Sequence, residues 1–290
     1  MTFIALIIAL ALLQYWGSAG PVHTDDWFQQ LVRKLSSSGL MAELQLALAI
    51  LLPVGVVVWV LGLTNGWLFG LVTLALMVLV LLYSFGRRDF ETLVGRYREY
   101  CSKGDFEGAY QFSLQELVDD NPDECPGAAE QLHRWAKERI CYLGFERWFG
   151  VIFYFALLGA AGALAYRLLH LYREDNEDSA QVPMLNKLMF WVDWAPSRVL
   201  VFAFAVTGDW VGSREQVMTS LQDTATPAAT IIADGAHAAL GLKATVFSSD
   251  NGDTSAFAEV SDWEIGELQG LLKRSAMAWV LVLAMLVLII

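Results

Sequence analysis

Charged side chains stand inside two of the most hydrophobic stretches of the chain, and they are the residues whose types could do chemistry. Glu146 and Arg147 directly precede a long apolar run, while Asp193 and Arg198 lie in the middle of another. A charged side chain at the centre of a bilayer costs about 3 kcal/mol on insertion scales unless it is paired or faces water. Asp193 and Arg198 are therefore either paired for structural reasons or part of a polar site.

The pair Glu146-Arg147 has two interpretations that the sequence leaves open. In the first, both side chains anchor a helix end at the membrane–water boundary, where long charged side chains can reach water. In the second, they face a cleft between a hydrophilic domain and the membrane, where they bind a polar ligand. Their spacing does not show whether either one meets Asp193 or Arg198.

The stretch from Asp193 to Arg198 reads Asp-Trp-Ala-Pro-Ser-Arg. Because Pro196 lacks a backbone N–H and frees a carbonyl group, we predict that the helix breaks there. Asp193 could then cap the helix that follows Pro196, which is a structural role. Alternatively, Asp193, Trp194 and Arg198 form a functional site with Glu146 and Arg147. Both interpretations remain open.

The usual signatures of catalysis and metal binding are missing from the sequence. It has no GxxxxGK[ST] phosphate loop, no GxGxxG after a strand and no GxSxG elbow. The histidines lack the spacing of a metal site, and the cysteines have no CxxC pattern and are expected to be reduced thiols. We therefore predict no metal and no cofactor. These residues are His23, His133, His170 and His237, with Cys101, Cys125 and Cys141.

The composition places these residues in a membrane protein. Hydrophobic residues make up 56% of the 290 residues and charged ones 17%, against about a quarter charged in soluble domains. The excess lies in runs near the roughly 20 residues that a membrane helix needs. The net charge of −12 argues against nucleic acid as a partner. We predict an all-α, polytopic helical membrane protein with cytoplasmic helical segments and the lipid bilayer as its partner.

The apolar runs divide the chain into the elements that must position the charged residues. Apolar runs are predicted to be membrane helices, and the segments between them hydrophilic helices. The predicted order is a first membrane helix (1–16), an amphipathic surface segment (17–43), a transmembrane hairpin (44–85), a cytoplasmic hydrophilic helical region (86–147), a membrane helix (148–170), a kinked, polar-containing membrane segment (185–208), a second hydrophilic region (209–273) and a C-terminal membrane helix (275–290).

Basic residues predict the sidedness of these elements. Arg87 and Arg88 follow the hairpin, so the region 86–147 is expected in the cytoplasm. The acidic loop that includes residues 173–178 is expected outside. At about 1.5 Å per residue, Arg167 would lie about 30 Å beyond Glu146, at the far edge of the membrane. If 185–208 crosses, as we expect, 209–273 is cytoplasmic too.

Local patterns predict how the hydrophilic regions and one membrane helix are built. The apolar spacing of Phe90, Leu93, Val94 and Tyr97 indicates a helix, and Gly104 with Asp105 marks its end and the cap of the next helix. The 246–262 stretch is expected to be a loop. Small residues at i, i+3 and i+4 in the 148–170 helix predict close helix packing; they are Gly159, Gly162 and Ala163.

The order of several short motifs resembles that in the AmpE and CobD/CbiB proteins. Their shared helix is similar to the stretch that begins at Glu146-Arg147, and their D-W-x-P-x-R element is similar to Asp193–Arg198 with Gly208 ten residues later. The resemblance covers most of the chain. Its further motifs are Phe145, Gly159-Ala160-Ala161-Gly162-Ala163, Tyr166-Arg167 and Lys103-Gly104-Asp105-Phe106-Glu107-Gly108-Ala109.

The resemblance implies one of two functions. AmpE proteins are inner-membrane proteins associated with β-lactamase regulation and cell-wall recycling, whereas CobD/CbiB proteins join an aminopropanol phosphate to a corrinoid with ATP and magnesium. The H-P-V-x-x-M-G element of the synthases is absent, and Gln14 stands near where they often carry an acidic residue. We therefore expect a non-enzymatic AmpE-like modulator in a multi-pass arrangement, with cell-wall recycling or β-lactamase regulatory proteins as partners and homo-oligomerisation left open.

The alternative from the same resemblance is a membrane enzyme related to the synthases, or a ligand-binding relic of one. It would use Glu146, Arg147, Asp193 and Arg198 around a polar cavity, and ATP and magnesium would be cofactors only in this case.

Overall fold

The computed structural model describes residues 2–16, 24–64, 66, 70–86, 89–118, 125–176, 181–241 and 254–289. Helices dominate these residues and no strand occurs among them, which confirms the predicted all-α class. In chain order the helices are α1 (Thr2–Trp16), α2 (Asp26–Ser36), α3 (Ala42–Leu63), α4 (Leu71–Ser84), α5 (Phe90–Ser102), α6 (Phe106–Glu116), α7 (Ala129–Gly144), a π-helical turn (Phe145–Gly150), α8 (Val151–Glu174), α9 (Val182–Thr207), α10 (Trp210–Gln222), α11 (Ala228–Leu240) and α12 (Thr254–Ile289).

Within the described residues, four helical stretches are long and apolar enough to cross a membrane. Such a span needs roughly 20 residues of low polarity. The helix of α4 and the apolar part of α1 are shorter, at Leu71–Ser84 and Thr2–Leu13. The membrane class predicted from composition is therefore supported by the folded helices. The four long stretches are Ala42–Leu63, Ala129–Glu174, Val182–Thr207 and Ala256–Met285.

The chain folds into two compact units that are each built from separated segments. The first unit comprises Met1–Arg87, Glu146–Val192 and Leu283–Ile290, and the second comprises Arg88–Phe145 and Asp193–Val282. The predicted site residues are divided between them. Glu146 and Arg147 belong to the first unit, whereas Asp193, Trp194 and Arg198 belong to the second.

In the first unit, α8 packs against both α3 and α4, and α1 packs against α4. Helix α2 is amphipathic: Phe28 and Val32, one turn apart, face the core, and charged residues face away. They meet an apolar cluster from the second half of α8, which includes Leu164 and Leu168. These contacts hold the C-terminal half of α8 firmly in the unit that carries Glu146.

In the second unit, α7 packs against α11, which also contacts α10, and α5 packs against α6. The predicted stripe on α5 is confirmed, because Phe90, Leu93, Val94 and Tyr97 are all buried. The predicted helix boundary is confirmed as well. Gly104 has a left-handed backbone, with φ 67°, and the Asp105 carboxylate accepts the Gly108 N–H at 2.8 Å.

Two local predictions are wrong. The predicted loop 246–262 is helical from Thr254 onward, because α12 begins there, and its residues 246–253 lie outside the described residues. Apolar residues of that part, such as Ala258, are buried in the second unit, which explains why a stretch rich in Ser and Asp is ordered as a helix. The predicted helix break at Pro196 is also absent, because α9 runs through it as one helix from Val182 to Thr207.

Candidate functional site

A reversal of the chain inside α8 shapes the first candidate site. Gly159 has φ 66° and ψ −155°, a conformation that only glycine adopts readily, and it interrupts the helix. The rings of Tyr154 and Tyr166 stack with their centroids 5.2 Å apart, although 12 residues of straight helix would separate them by about 18 Å. Residues 145–158 and 160–174 are therefore the two antiparallel arms of a helical hairpin, which we call the α8 hairpin.

Glycines allow the two arms of the α8 hairpin to approach closely. A β-carbon at Gly150 would clash with the Tyr166 ring, and one at Gly162 would clash with the backbone carbonyl of Tyr154. The small residues Gly159 and Gly162 thus lie at the turn and at the contact between the arms of a single hairpin, and Ala163 is buried beside them.

The reversal brings together charged side chains that the sequence places far apart. Arg167 Nη1 donates to Glu146 Oε1 at 2.8 Å, and His170 Nδ1 lies 3.4 Å from the same oxygen. Arg167 Nη2 is 3.9 Å from a Glu174 carboxylate oxygen. The predicted separation of about 30 Å between Glu146 and Arg167 is wrong, because it assumed a straight helix. We call Glu146, Arg167, His170 and Glu174 the hairpin base cluster.

The hairpin base cluster is largely enclosed by protein. Arg167 and His170 are buried, and the ring of His170 packs 4.5 Å from the Tyr166 ring, centroid to centroid. Within the described residues, Arg167 Nε and His170 Nε2 have no hydrogen-bond partner. A buried guanidinium requires a paired carboxylate, since an unpaired charge in this position would be strongly destabilising. Glu146 therefore has a clear structural role.

Arg147 points to a different part of the first unit. Its backbone carbonyl accepts the N–H of Gly86 at 3.5 Å, just after the end of α4. A β-carbon at Gly86 would clash with the Arg147 side chain, so the two segments touch closely. The guanidinium also lies 5.6 Å from the centre of the Trp148 ring, within the range of a cation–π contact. Arg147 thus packs where α4 ends.

Side-chain hydroxyls compensate for Pro196 in α9. The carbonyl of Val192, which a normal residue at position 196 would bond, accepts the Tyr154 hydroxyl at 2.7 Å. The Ser197 hydroxyl donates to the Asp193 carbonyl at 2.6 Å. With these carbonyls occupied, the helix continues through the proline. The predicted cap by Asp193 does not form, because no helix starts after Pro196.

The other groups of the Asp193–Arg198 stretch bind structural partners inside the second unit. Asp193 is buried and its carboxylate accepts the Tyr142 hydroxyl at 2.8 Å. Arg198 Nε donates to the Ser220 carbonyl at 3.1 Å and its Nη2 to the Asp223 carbonyl at 2.9 Å. These carbonyls end α10, where the last helical carbonyls lack partners of their own.

Trp194 completes this arrangement, which we call the α10 clamp (Trp194 and Arg198). Its indole N–H also donates to the Asp223 carbonyl, at 3.2 Å, and its ring lies 5.0 Å below the Arg198 guanidinium. The Asp223 carboxylate, unlike its backbone carbonyl, accepts the backbone N–H groups of Ala225 and Thr226. Hydrogen bonds from Thr226 and Ala225 lower the pKa of Asp223 to about 2.

A third polar cluster in the second unit was not predicted from the sequence. Glu264 of α12 accepts from His133 Nε2 at 3.1 Å and from Lys137 Nζ. Lys137 Nζ also lies 3.1 Å from His237 Nε2 of α11. Lysine has no acceptor, so His237 Nε2 accepts this bond and carries no proton. We call Glu264, His133, Lys137 and His237 the His–Lys–Glu network.

The sequence carried only a faint signal for the His–Lys–Glu network. Its hydrogen bonds join residues that are 100, 127 and 131 positions apart, so no local spacing could reveal these contacts. His133 does stand on the buried face of α7, beside Leu132 and Ala136. A polar side chain on an apolar face requires a partner, but the sequence does not show which partner that is.

The described residues offer little for a cofactor or a metal. No group of three or more His, Cys, Asp and Glu side chains among them could hold a metal ion. An open surface cleft lies between α5 and α6 in the second unit, and its charged lining carries both signs, with Arg96, Lys103, Glu99 and Glu116. This mixture gives the cleft no strong preference for an anion or a cation.

The helices and their paired charges identify a class of protein before they identify a family. Four stretches of membrane-spanning length and composition, with ion pairs closed off inside the protein, describe an all-α membrane protein. The chain belongs to the AmpE family, because the family model described as "Regulatory signalling modulator protein AmpE" matches residues 1–249. This confirms the resemblance found in the motifs. No curated protein and no solved structure matches the chain.

Proposed function

We propose that this protein is a multi-pass protein of the bacterial inner membrane that modulates β-lactamase induction in connection with peptidoglycan recycling. It would do so without catalysing a reaction and without a cofactor, by contacting cell-wall recycling or β-lactamase regulatory proteins through its cytoplasmic helices. The family description as a regulatory signalling modulator supports this proposal. The four long apolar stretches support its place in a membrane.

The observation that carries the non-enzymatic part is the bonding of the candidate residues. Glu146 bonds Arg167, Asp193 bonds Tyr142, and Arg198 bonds two backbone carbonyls, each within its own unit. A catalytic group must reach the atoms on which it acts. These groups instead hold helices to one another, which favours a scaffold for partner proteins over a reacting centre.

A complementation experiment tests the regulatory role. In a bacterium with an inducible β-lactamase, the gene for the host's own AmpE-family protein would be deleted. The deletion strain would then receive either a plasmid that encodes this chain or an empty vector. β-Lactamase activity would be measured before and after exposure to an inducing β-lactam. We expect the induced activity to differ between the two strains, with the chain restoring the parental level. Identical induction curves in all three strains would reject the proposal.

A pair of matched variants tests whether Arg198 acts through structure or through a ligand. Arg198→Ala removes the side chain on α9 that donates to the end of α10. Arg214→Ala removes an exposed arginine from α10 itself. We expect Arg198→Ala to lower the amount of protein in the membrane and to reduce modulation in proportion, and Arg214→Ala to change neither. Loss of modulation by Arg198→Ala at full abundance would instead indicate a binding site.

The alternative of a synthase-like enzyme is tested by thermal unfolding of the purified protein with added ligands. The ligands would be ATP with magnesium, a corrinoid, and a muropeptide, each in a separate titration. We expect no shift with ATP or the corrinoid. A saturable rise in the unfolding midpoint with both of these would overturn the non-enzymatic proposal in favour of corrinoid chemistry.

A further inference from the structure

The α8 hairpin reverses the direction of the chain inside an apolar stretch. Residues 145–158 and 160–174 form arms of about 14 residues each, roughly 20 Å long at 1.5 Å per residue. Because the chain reverses at Gly159, the second arm returns towards the end at which the first arm began, and the stretch does not cross a membrane as one straight helix.

Exposure in the α8 hairpin is concentrated at its tip. Leu157 and Leu158 are 64% and 66% exposed, while Val151, Ile152 and Phe155 in the same arm are buried. A β-carbon at Gly159 would meet no atom within 4 Å among the described residues. The tip is thus an uncovered apolar surface at the end of two arms that α3 and α4 pack against.

Contacts inside the first unit show where the base of the α8 hairpin lies. Gly86 donates to the Arg147 carbonyl at 3.5 Å, which joins the start of the hairpin to the end of α4. The end of the hairpin is reached through α2: Gln29 donates to the Asp175 carboxylate at 3.3 Å.

Helix α2 itself is fixed to the same end of α4. Asp25, which directly precedes α2, accepts a hydrogen bond from the Tyr83 hydroxyl at 2.8 Å, and Tyr83 lies in the last turn of α4. Both ends of the α8 hairpin therefore lie at the end of the first unit where α4 stops. The turn between α3 and α4, marked by the Thr73 hydroxyl donating to the Thr64 carbonyl, lies at the other end.

The apolar tip continues a surface that is already suited to lipid. Helix α3, in the same unit, exposes Leu51, Val56 and Trp59 along its length, and hydrophobic side chains of a membrane span that lack a protein partner face acyl chains. Within the α8 hairpin, Gly159 is the residue with non-helical backbone angles, and it is partly buried by protein.

We propose that the α8 hairpin enters the bilayer from the side where α4 ends and returns to that side, with Leu157 and Leu158 in contact with lipid acyl chains. Arg87 and Arg88 after α4 make this side the cytoplasm. The hairpin base cluster then lies near the cytoplasmic surface rather than at the far edge. The acidic residues around Asp175 are cytoplasmic, in contrast to the external loop expected from the sequence.

Cysteine labelling with a membrane-impermeant maleimide tests the path of the hairpin. The variants are Asp175→Cys after the hairpin, Thr92→Cys after α4, and Gly66→Cys in the α3–α4 turn, where a β-carbon would meet no atom within 4 Å among the described residues. The parent chain, whose Cys101, Cys125 and Cys141 are buried, measures the background. Each signal is normalised to the same sample dissolved in detergent.

We expect Asp175→Cys and Thr92→Cys to react at least tenfold more in inverted vesicles than in intact cells, and Gly66→Cys to show the reverse preference. Reaction of Asp175→Cys with the preference of Gly66→Cys would overturn the proposal. The second measurement is a nitroxide at Leu158→Cys in reconstituted bilayers. Greater collision with oxygen than with a water-soluble nickel reagent is expected, and the opposite ratio would reject contact of the tip with lipid.

Discussion

At the scale of single residues, the charges inside apolar stretches are explained by partners that lie far away in the sequence. Arg167 is buried and its guanidinium bonds Glu146, which precedes it by 21 positions. Arg198 is buried too, but its partners are backbone carbonyls at the end of α10. Arg167 thus depends mainly on the Glu146 carboxylate, while Arg198 depends on a helix end, and the two respond differently to substitution of their partners.

Glu146→Gln should therefore be one of the more destabilising single changes in the chain. It removes the nearer carboxylate of the buried Arg167 and leaves only the more distant contact with Glu174, and breaking a buried ion pair costs about 3 kcal/mol or more. The unfolding midpoint of the purified protein in detergent measures the effect. Glu107→Gln is the matched control, since Glu107 is exposed on α6 and should shift the midpoint little. Equal midpoints for both variants would contradict the structural role of Glu146.

The buried environment of His237 predicts that the stability of the folded protein depends on pH. Burial, followed by the nearby charge of Lys137, lowers the pKa of His237 from its usual value of 6.5. The unfolded chain takes up a proton as the pH falls through about 6.5, whereas the folded protein keeps His237 neutral. The stability that this residue contributes is therefore present above that pH, and it is lost as the pH falls towards the lowered pKa of the folded state.

His237→Gln is the variant that checks this dependence. Unfolding midpoints of both proteins would be compared at about pH 7.5 and about pH 5.5, a range that spans the unfolded pKa. We expect the unfolding midpoint of the parent protein to fall further on acidification than the unfolding midpoint of the variant. A variant that loses as much as the parent would show that His237 does not contribute to the acid sensitivity.

At the scale of elements, the turn of the α8 hairpin depends on one residue. A β-carbon at Gly159 would be held at φ 66°, a conformation that costs an ordinary residue about 1 kcal/mol or more. Gly159→Ala should therefore lower the unfolding midpoint. Gly95→Ala is the control, because Gly95 lies within α5 with open space around it, and alanine there should raise the midpoint. The same sign for both variants would argue against a strained turn.

The same turn shows what the sequence can and cannot reveal about this fold. The buried stripe of α5 and the cap by Asp105 follow from short-range spacing, and both were predicted. The reversal at Gly159 was not, because an isolated glycine in an apolar run is equally typical of an unbroken helix. The opposite error occurred at Pro196, where the Tyr154 hydroxyl donates to the freed Val192 carbonyl from 38 positions away.

For the candidate sites too, the sequence revealed local requirements but not contacts between distant helices. The sequence singled out Arg198 as a charge that needs a partner in an apolar setting, since this requirement is local, and it left Glu146 open as an anchor at the membrane boundary or a ligand-binding residue. It could not identify Arg167 or the end of α10 as their partners, because each contact depends on how distant helices pack. The His–Lys–Glu network was missed entirely for this reason, since His133, Lys137 and Glu264 meet only through the packing of α7 and α12.

At the scale of the whole molecule, α12 completes the second unit although it lies entirely beyond the range that matches the family. The match ends at residue 249, and α12 begins at Thr254. Its buried face includes Ile265, Leu268 and Leu272, spaced one helical turn apart. It also supplies Glu264, the only carboxylate that bonds both His133 and Lys137 within the described residues.

A chain that ends after residue 253 should therefore fail to form a stable second unit. Without α12, Lys137 and His133 lose Glu264, and the apolar groups that pack on Ile265 and Leu268 become exposed to water. Membrane abundance and resistance to limited proteolysis between α5 and α7 measure the outcome. A chain that ends after Met285 is the control, since it keeps the whole buried face. A 1–253 chain as abundant and as resistant as this control would show that α12 is not part of the folded unit.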